Sequence, residues 1–138
     1  MNTDCVFCDR KNFEERLIGE TKDFWVIATL GQITDGGYVL QIPRKHMACM
    51  GALNNKETSA MIGSAKWICR AISLEYQKSD TTNPYPVILF EHGIVGQTIK
   101  HAHLHFLPVV TDITEKIQRD FPNAEIEELQ YAAHLQEL

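Results

Sequence analysis

From His101 to Pro108 the chain reads His-Ala-His-Leu-His-Phe-Leu-Pro, with three imidazoles at alternate positions between apolar residues. Successive side chains of a β-strand point to opposite faces, so positions i, i+2 and i+4 share one face. His101, His103 and His105 then line one side of a strand, which turns them to solvent, and Ala102, Leu104 and Phe106 pack into a core on the other. A register slip of one residue would drive all three imidazoles into that core, so the pairing of this strand is strongly specified. Three imidazoles on one face suit metal ligation or phosphoryl chemistry. The competing reading is a strand surface that merely happens to carry histidines, and strict alternation weighs against it.

The 138 residues are one domain of ordinary size, spanning 1–138, and 44% hydrophobic residues are enough for one core without metal or disulfide support. A net charge of −5 argues against a basic nucleic-acid or membrane surface, while leaving room for a small nucleotide in a local pocket. There is no apolar run long enough to span a membrane. Met1-Asn2-Thr3-Asp4 lacks the basic and apolar regions of a signal peptide, so a cytoplasmic location is expected.

Phe24 to Ala28 is a continuous apolar run and reads as a buried strand. Gly31 to Gly37 is loop, with Asp35-Gly36 as a turn signal. Tyr38 to Ile42 reads as a second strand stopped by Pro43, forming a hairpin with the first. Asn54 or Asn55 caps a long helix to about Lys78, with Glu57 in its first turn. Met61, Ala65, Ile68, Ile72 and Tyr76 form one apolar stripe, and Ala60, Trp67, Ala71 and Leu74 a second on another face. A helix apolar on two sides wants two partners: its own sheet, and either a second subunit or a later helix of the same chain. Val87 to Phe90 reads as a strand, Glu91 to Gly96 as a turn, and Thr98 to Val110 as the histidine strand. The tail, 111–138, reads as a short helix near Thr114 to Asp120, a break at Pro122 and a helix from Glu125. Hairpins plus one long helix give an α+β fold, a mostly antiparallel sheet of about five strands with a helical C-terminal tail.

The four cysteines do not suggest a disulfide framework. Cys49 and Cys69 sit in apolar surroundings and read as small core residues. Cys5 and Cys8 form a tight C-x-x-C turn and can supply two thiolates of a tetrahedral zinc site. Two further ligands must then come from His46, His92, His101, His103, His105 and His134. The alternative is a turn with two buried thiols.

The pattern His-apolar-His-apolar-His-apolar-apolar resembles the signature of the histidine triad (HIT) family of nucleotidyl hydrolases and transferases. Cys5-Val6-Phe7-Cys8 is similar to the amino-terminal zinc hairpin of zinc-bearing bacterial members, here residues 1–10. Gly37 to His46 is similar to the family's Gly-His-x-Leu-x-Ile-Pro-Lys-x-His strand. Gly96-Gln97-Thr98 stands where the family carries Gly-Gln-Ser or Gly-Gln-Thr. The resemblance runs from Cys5 to about Pro108.

The resemblance implies a structural zinc ion held by Cys5, Cys8, His46 and His101. It implies attack on phosphorus by His103, whose second nitrogen donates to the backbone carbonyl of His101. His105 would bind non-bridging phosphate oxygens, and Gln97 and Thr98 would donate to the phosphate or the leaving group. The implied substrate is a nucleotide in phosphoramidate, phosphoanhydride or phosphoester linkage, and the implied assembly is a homodimer, in which the second apolar stripe of the long helix puts Trp67 and Leu74 in or near the interface. The chain departs from the family at Tyr38, where a histidine is usual. It departs again at Ala28-Thr29-Leu30, which lacks the ribose-binding acid, and at Glu91-His92-Gly93, where many members carry Asn before the pocket glycine. A carboxylate at Glu91 would repel a phosphate unless it points away or is paired. Two other functions compete: a non-catalytic nucleotide-binding module, and a hydrolase with a catalytic zinc on His101, His103 and His105. Against the latter, i to i+4 along a strand spans about 13 Å, too far for one ion.

Overall fold

The computed structural model describes residues 4–32, 36–77, 84–109, 114–123 and 125, without the side chains of Lys116 and Ile117. The expected Asp35 turn residue, the helix end at Lys78, the strand end at Val110, the helix from Glu125 and His134 (offered as a zinc ligand) lie outside these residues or run beyond them. Five strands form one antiparallel sheet: β1 (Leu17–Glu20), β2 (Phe24–Ala28), β3 (Val39–Pro43), β4 (Ile88–Phe90) and β5 (Leu104–Leu107), in the order β1-β2-β3-β5-β4. Among the described residues three α-helices accompany them: α1 (Asn55–Tyr76), α2 (Gly93–Gly96) and α3 (Thr114–Asp120). None of the described helices is long and apolar enough to cross a membrane.

Period-2 alternation divides the sheet into two faces. In β2 and β3 the register pairs Trp25 with Ile42 and Ile27 with Leu40, so these four share a face with Tyr38. Val26, Val39 and Phe106 lie on the opposite face against Ala65, Ile68 and Ile72 of α1. The helix begins as its residues dictate: Asn54 accepts from the Glu57 amide and the Glu57 carboxylate accepts from the Asn54 amide, a reciprocal capping box. Gln41, fully buried in β3, ties the layers together by donating to the Met61 carbonyl of α1 at 3.1 Å.

The second face of the sheet is not open to solvent. Three 3₁₀ turns (Val6–Cys8, Arg10–Asn12 and Glu14–Arg16) fold back over it and seat Phe7 and Phe13 among Trp25, Tyr38, Leu40, Ile42 and Leu107. The expectation that the histidines face solvent is therefore corrected: His101, His103 and His105 are all buried. Phe7 meets His103 edge-on, with ring centroids 5.4 Å apart. Two aromatic residues near the amino terminus cover a surface that strand alternation alone marks as polar.

The histidine strand is also shorter than its alternation predicts. Regular pairing begins only at Leu104, because upstream backbone groups find partners elsewhere. The Ala102 amide donates to the Met47 carbonyl at 2.7 Å, and the His101 amide to the Ile99 carbonyl at 2.8 Å. Residues Gly93–Gly96 form a helical turn within the expected loop, β1 is a strand the apolar pattern does not announce, and β3 runs Val39–Pro43 rather than Tyr38 to Ile42, so Pro43 is its last residue. A proline is tolerated there because its missing N–H falls at a strand terminus. Trp67 is 54% exposed and leans on β1, its ring 3.4 Å from where a side chain on Gly19 would begin. Among the described residues, no later helix covers it.

Candidate active site and metal centre

The loop after β3 and the bend before β5 are joined by the Ala102–Met47 backbone bond, which sets His46 beside His101. Their rings meet edge-on with centroids 4.9 Å apart. The Val6–Cys8 turn brings both thiols to the same place, so Cys5 Sγ lies 3.4 Å and Cys8 Sγ 3.6 Å from His101 Nδ1, with Cys8 Sγ 3.2 Å from His46 Nδ1. All four ligand atoms fall within 4.8 Å of one another. The other nitrogen of His101, Nε2, lies 2.8 Å from the Pro43 carbonyl. A carbonyl only accepts, so Nε2 carries the hydrogen and Nδ1 turns a lone pair toward the thiols. A backbone acceptor behind a ligating histidine is the arrangement that orients metal-binding imidazoles. Burial, then the neighbouring Cys5 thiol, raises the pKa of Cys8, so its thiolate form is disfavoured unless a cation lies beside it. The cluster can thus hold a metal ion, with the four ligands the sequence nominated.

Two residues on, His103 has the opposite tautomer. Its Nδ1 lies 2.6 Å from the His101 carbonyl, so Nδ1 carries the hydrogen and Nε2 keeps its lone pair. Burial lowers its pKa below the ordinary histidine range, the bond to His101 opposing and the nearby His92 charge adding to the shift. A neutral imidazole with a fixed lone pair is a competent nucleophile. The His101 backbone thus joins the two centres: its side chain faces the thiols and its carbonyl holds His103.

His105, paired across the sheet with Leu40 and Phe90, follows at a ring distance of 4.9 Å from His103. It stacks on Phe90 with centroids 4.4 Å apart and planes 5° from parallel. Burial, then the nearby His103 and His92 charges, pushes its pKa down to about 3. Its Nδ1 lies 2.6 Å from the Tyr38 hydroxyl, and its Nε2 is buried without a protein partner. His92 closes the group, its ring edge-on to His105 at 5.1 Å. His92 is exposed, and its place beside the triad is not legible from sequence, since it depends on β4 running antiparallel to β5.

The remaining nominated residues divide. Gln97 is buried and donates its side-chain amide to the Ala48 carbonyl at 2.6 Å, bracing the loop that carries His46. Thr98 is exposed in a cleft of about 280 Å³ with Asp4, Cys5 and His46, on the thiol side of the site. Glu91 points away from the histidines: its carboxylate accepts from the Met50 amide at 2.9 Å and lines an apolar cavity of about 680 Å³ against α1. Of the triad, only His101 belongs to a metal-ligating cluster among the described residues. A single ion on all three histidines does not match this geometry, in which His103 and His105 direct their Nδ1 atoms to other partners.

Known proteins share this fold. The family model described as "HIT domain" matches residues 10–112. An uncharacterized HIT-like protein of Mycoplasma genitalium is 28% identical over 106 residues, which are 75% of this chain and 72% of that protein. A HIT family hydrolase from Clostridium thermocellum superposes with a TM-score of 0.59 at 22% identity, covering 80% of this chain and 94% of its own. A HIT family protein from Bacillus anthracis gives a TM-score of 0.64 at 20% identity, covering 99% and 92%. With a family model over most of its length and the histidines set as described, this chain belongs to the HIT family.

Proposed function

We propose that this protein is a nucleotidyl hydrolase or transferase that works through a covalent nucleotidyl-histidine on His103. The observation that carries the reading is the 2.6 Å bond from His103 Nδ1–H to the His101 carbonyl, which leaves the Nε2 lone pair for attack. In the first step that lone pair forms a nitrogen–phosphorus bond. The bond from phosphorus to the leaving group breaks, and the leaving group departs with its electron pair and takes up a proton. In the second step water or another acceptor hydroxyl attacks phosphorus and loses its proton to solvent, and the nitrogen–phosphorus bond breaks with its electron pair returning to His103 Nε2. His105 and a second amide hydrogen on Gln97 supply donors to the phosphoryl oxygens, and Thr98 serves the leaving-group side. Incubation with nucleoside phosphoramidates and dinucleoside polyphosphates tests the reading: turnover and a nucleotidyl adduct on His103 by mass spectrometry are expected. Their absence on every nucleotide tried favours a non-catalytic nucleotide-binding module.

The metal we assign to Cys5, Cys8, His46 and His101 is zinc, in a structural role. A tetrahedral zinc ion with bonds of about 2.3 Å to sulfur and about 2.0 Å to nitrogen sets sulfur and nitrogen roughly 3.5 Å apart. The observed separations of 3.2 to 3.6 Å match that edge. Metal analysis of protein purified without chelator is expected to find one zinc per chain. We also propose a homodimer with Trp67 and Leu74, 54% and 61% exposed, in or near the interface. A monomer by light scattering at micromolar concentration removes that proposal.

A further inference from the structure

We propose that Tyr38 is a positioning residue that locks His105 into the tautomer with its hydrogen on Nε2, so that His105 meets a phosphoryl oxygen as a neutral donor. The inference rests on the nucleotidyl reading for its ligand but not for its geometry. Oη of Tyr38 and Nδ1 of His105 are 2.6 Å apart, and one hydrogen lies between them. Two arrangements are possible. If the imidazole donates, the phenolic hydrogen has no recorded acceptor among the described residues and the buried Nε2 lone pair has no donor. That leaves two polar groups unsatisfied. If the phenol donates, both Oη–H and Nδ1 are satisfied and only an Nε2–H is left over. An unsatisfied buried polar group is costly and the second arrangement leaves one fewer, so the second arrangement wins.

The surroundings agree. Burial raises the pKa of Tyr38, which keeps its hydrogen, and burial lowers that of His105, which keeps its ring neutral. Neither group gains by transferring the proton. The His105 ring is stacked on Phe90 at 4.4 Å and on Tyr38 at 5.7 Å, so it cannot turn over without breaking both contacts. Tyr38 lies just ahead of β3, where its amide donates to Gln32 Oε1 at 3.0 Å. Gly37 precedes it at φ +68°, with the Tyr76 ring where a side chain would go, so only glycine brings the chain in at this angle. An orphaned, nearly buried N–H beside a nucleophile recognises an acceptor. An anionic oxygen fits it, and a ligand that offers a hydrogen there does not. A phenol in this role leaves the tautomer of His105 set by a group that burial keeps protonated through neutral pH.

The test uses zinc-loaded protein labelled with ¹⁵N-histidine, in which long-range ¹H–¹⁵N correlations report which ring nitrogen carries the hydrogen. Loss of one signal set in His105→Asn assigns His105. In the wild type the hydrogen is expected on Nε2, and in Tyr38→Phe the preference is expected to weaken. With a nucleoside phosphoramidate, Tyr38→Phe should lower kcat about tenfold with a smaller change in KM, a fraction of the 10²–10³ that loss of a whole oxyanion donor costs. Circular dichroism checks that the variant, which keeps the ring, stays folded. A wild-type hydrogen on Nδ1, or an unchanged tautomer and unchanged kcat in Tyr38→Phe, overturns the proposal. Should the wild type turn over no nucleotide, the nucleotidyl reading fails while the tautomer measurement still decides the role of Tyr38.

Discussion

His101 and His103 stand two residues apart on one face of the same segment, yet they belong to different chemistries. Each has one ring nitrogen pinned by a backbone carbonyl, at 2.8 Å for His101 and 2.6 Å for His103. The difference is which nitrogen is pinned. In His101 it is Nε2, so the short side of the ring, Nδ1, faces the cysteines. In His103 it is Nδ1, so the longer reach of Nε2 is left for a substrate. A carbonyl that cannot donate decides the tautomer in both cases. Residue type is therefore not what sets which ring nitrogen is free here; the position of one acceptor is.

Substitution at His103 separates the two halves most widely. His103→Asn should reduce turnover by about 10³-fold or more, as for loss of a covalent nucleophile, while the protein keeps one metal per chain. Its stability should fall by about 1–2 kcal/mol, because the ring is buried against Phe7 rather than solvent-facing. Steady-state kinetics, metal analysis and denaturant unfolding read the three quantities. Equal loss of metal and turnover would mean that the halves are not separable.

The converse variant is Cys8→Ser, which should lose metal and about 3–5 kcal/mol of stability. Turnover per folded molecule should change far less, because Cys8 touches the ligand cluster and not His103. The sheet and α1 have their own core, so the metal-depleted form should keep much of its far-ultraviolet circular dichroism.

A pH series sharpens the comparison. The folded pKa of His105 lies near 3, below its ordinary 6.5, so as pH falls below about 6.5 the unfolded chain binds the proton first. This contribution to stability is complete above that pH and is lost progressively toward pH 3. The Tm of the wild type should fall across this window, and His105→Asn should flatten the slope. If both slopes are the same, the shift assigned to His105 is wrong.

The smallest effect is expected at Glu91. Its carboxylate lies on the α1 side and accepts the Met50 amide, so Glu91→Gln, which keeps an acceptor oxygen, should change turnover less than twofold and stability by under about 1 kcal/mol. A large gain in nucleotide affinity would show instead that the charge reaches the phosphate.

Much of this was legible in the residues. Strict alternation from His101 to Phe106 put the right side chains on each face, and the cap at Asn54 with Glu57 marked the start of α1 correctly. That Cys5, Cys8, His46 and His101 gather into one cluster able to hold a metal ion was legible through the C-x-x-C and the family pattern. Strand β1 was not, because Leu17-Ile18-Gly19-Glu20 has a short, glycine-broken apolar signal that counts as a strand only once paired with β2. His92 was visible as a residue but not as a neighbour of His105, since the contact depends on the register of β4 against β5.

The sequence by itself determined which donor and acceptor groups the chain can bring to one face, because period-2 geometry and the donor types of Cys and His are local properties that any fold must respect. Tertiary structure alone decided the state of each imidazole. The carbonyls of Pro43 and His101, the hydroxyl of Tyr38 and the cover of Phe7 come from segments distant in the chain or from a bend outside regular pairing. Their effect on a ring nitrogen exists only when they lie within hydrogen-bond reach, in surroundings dry enough for an unmatched proton to matter.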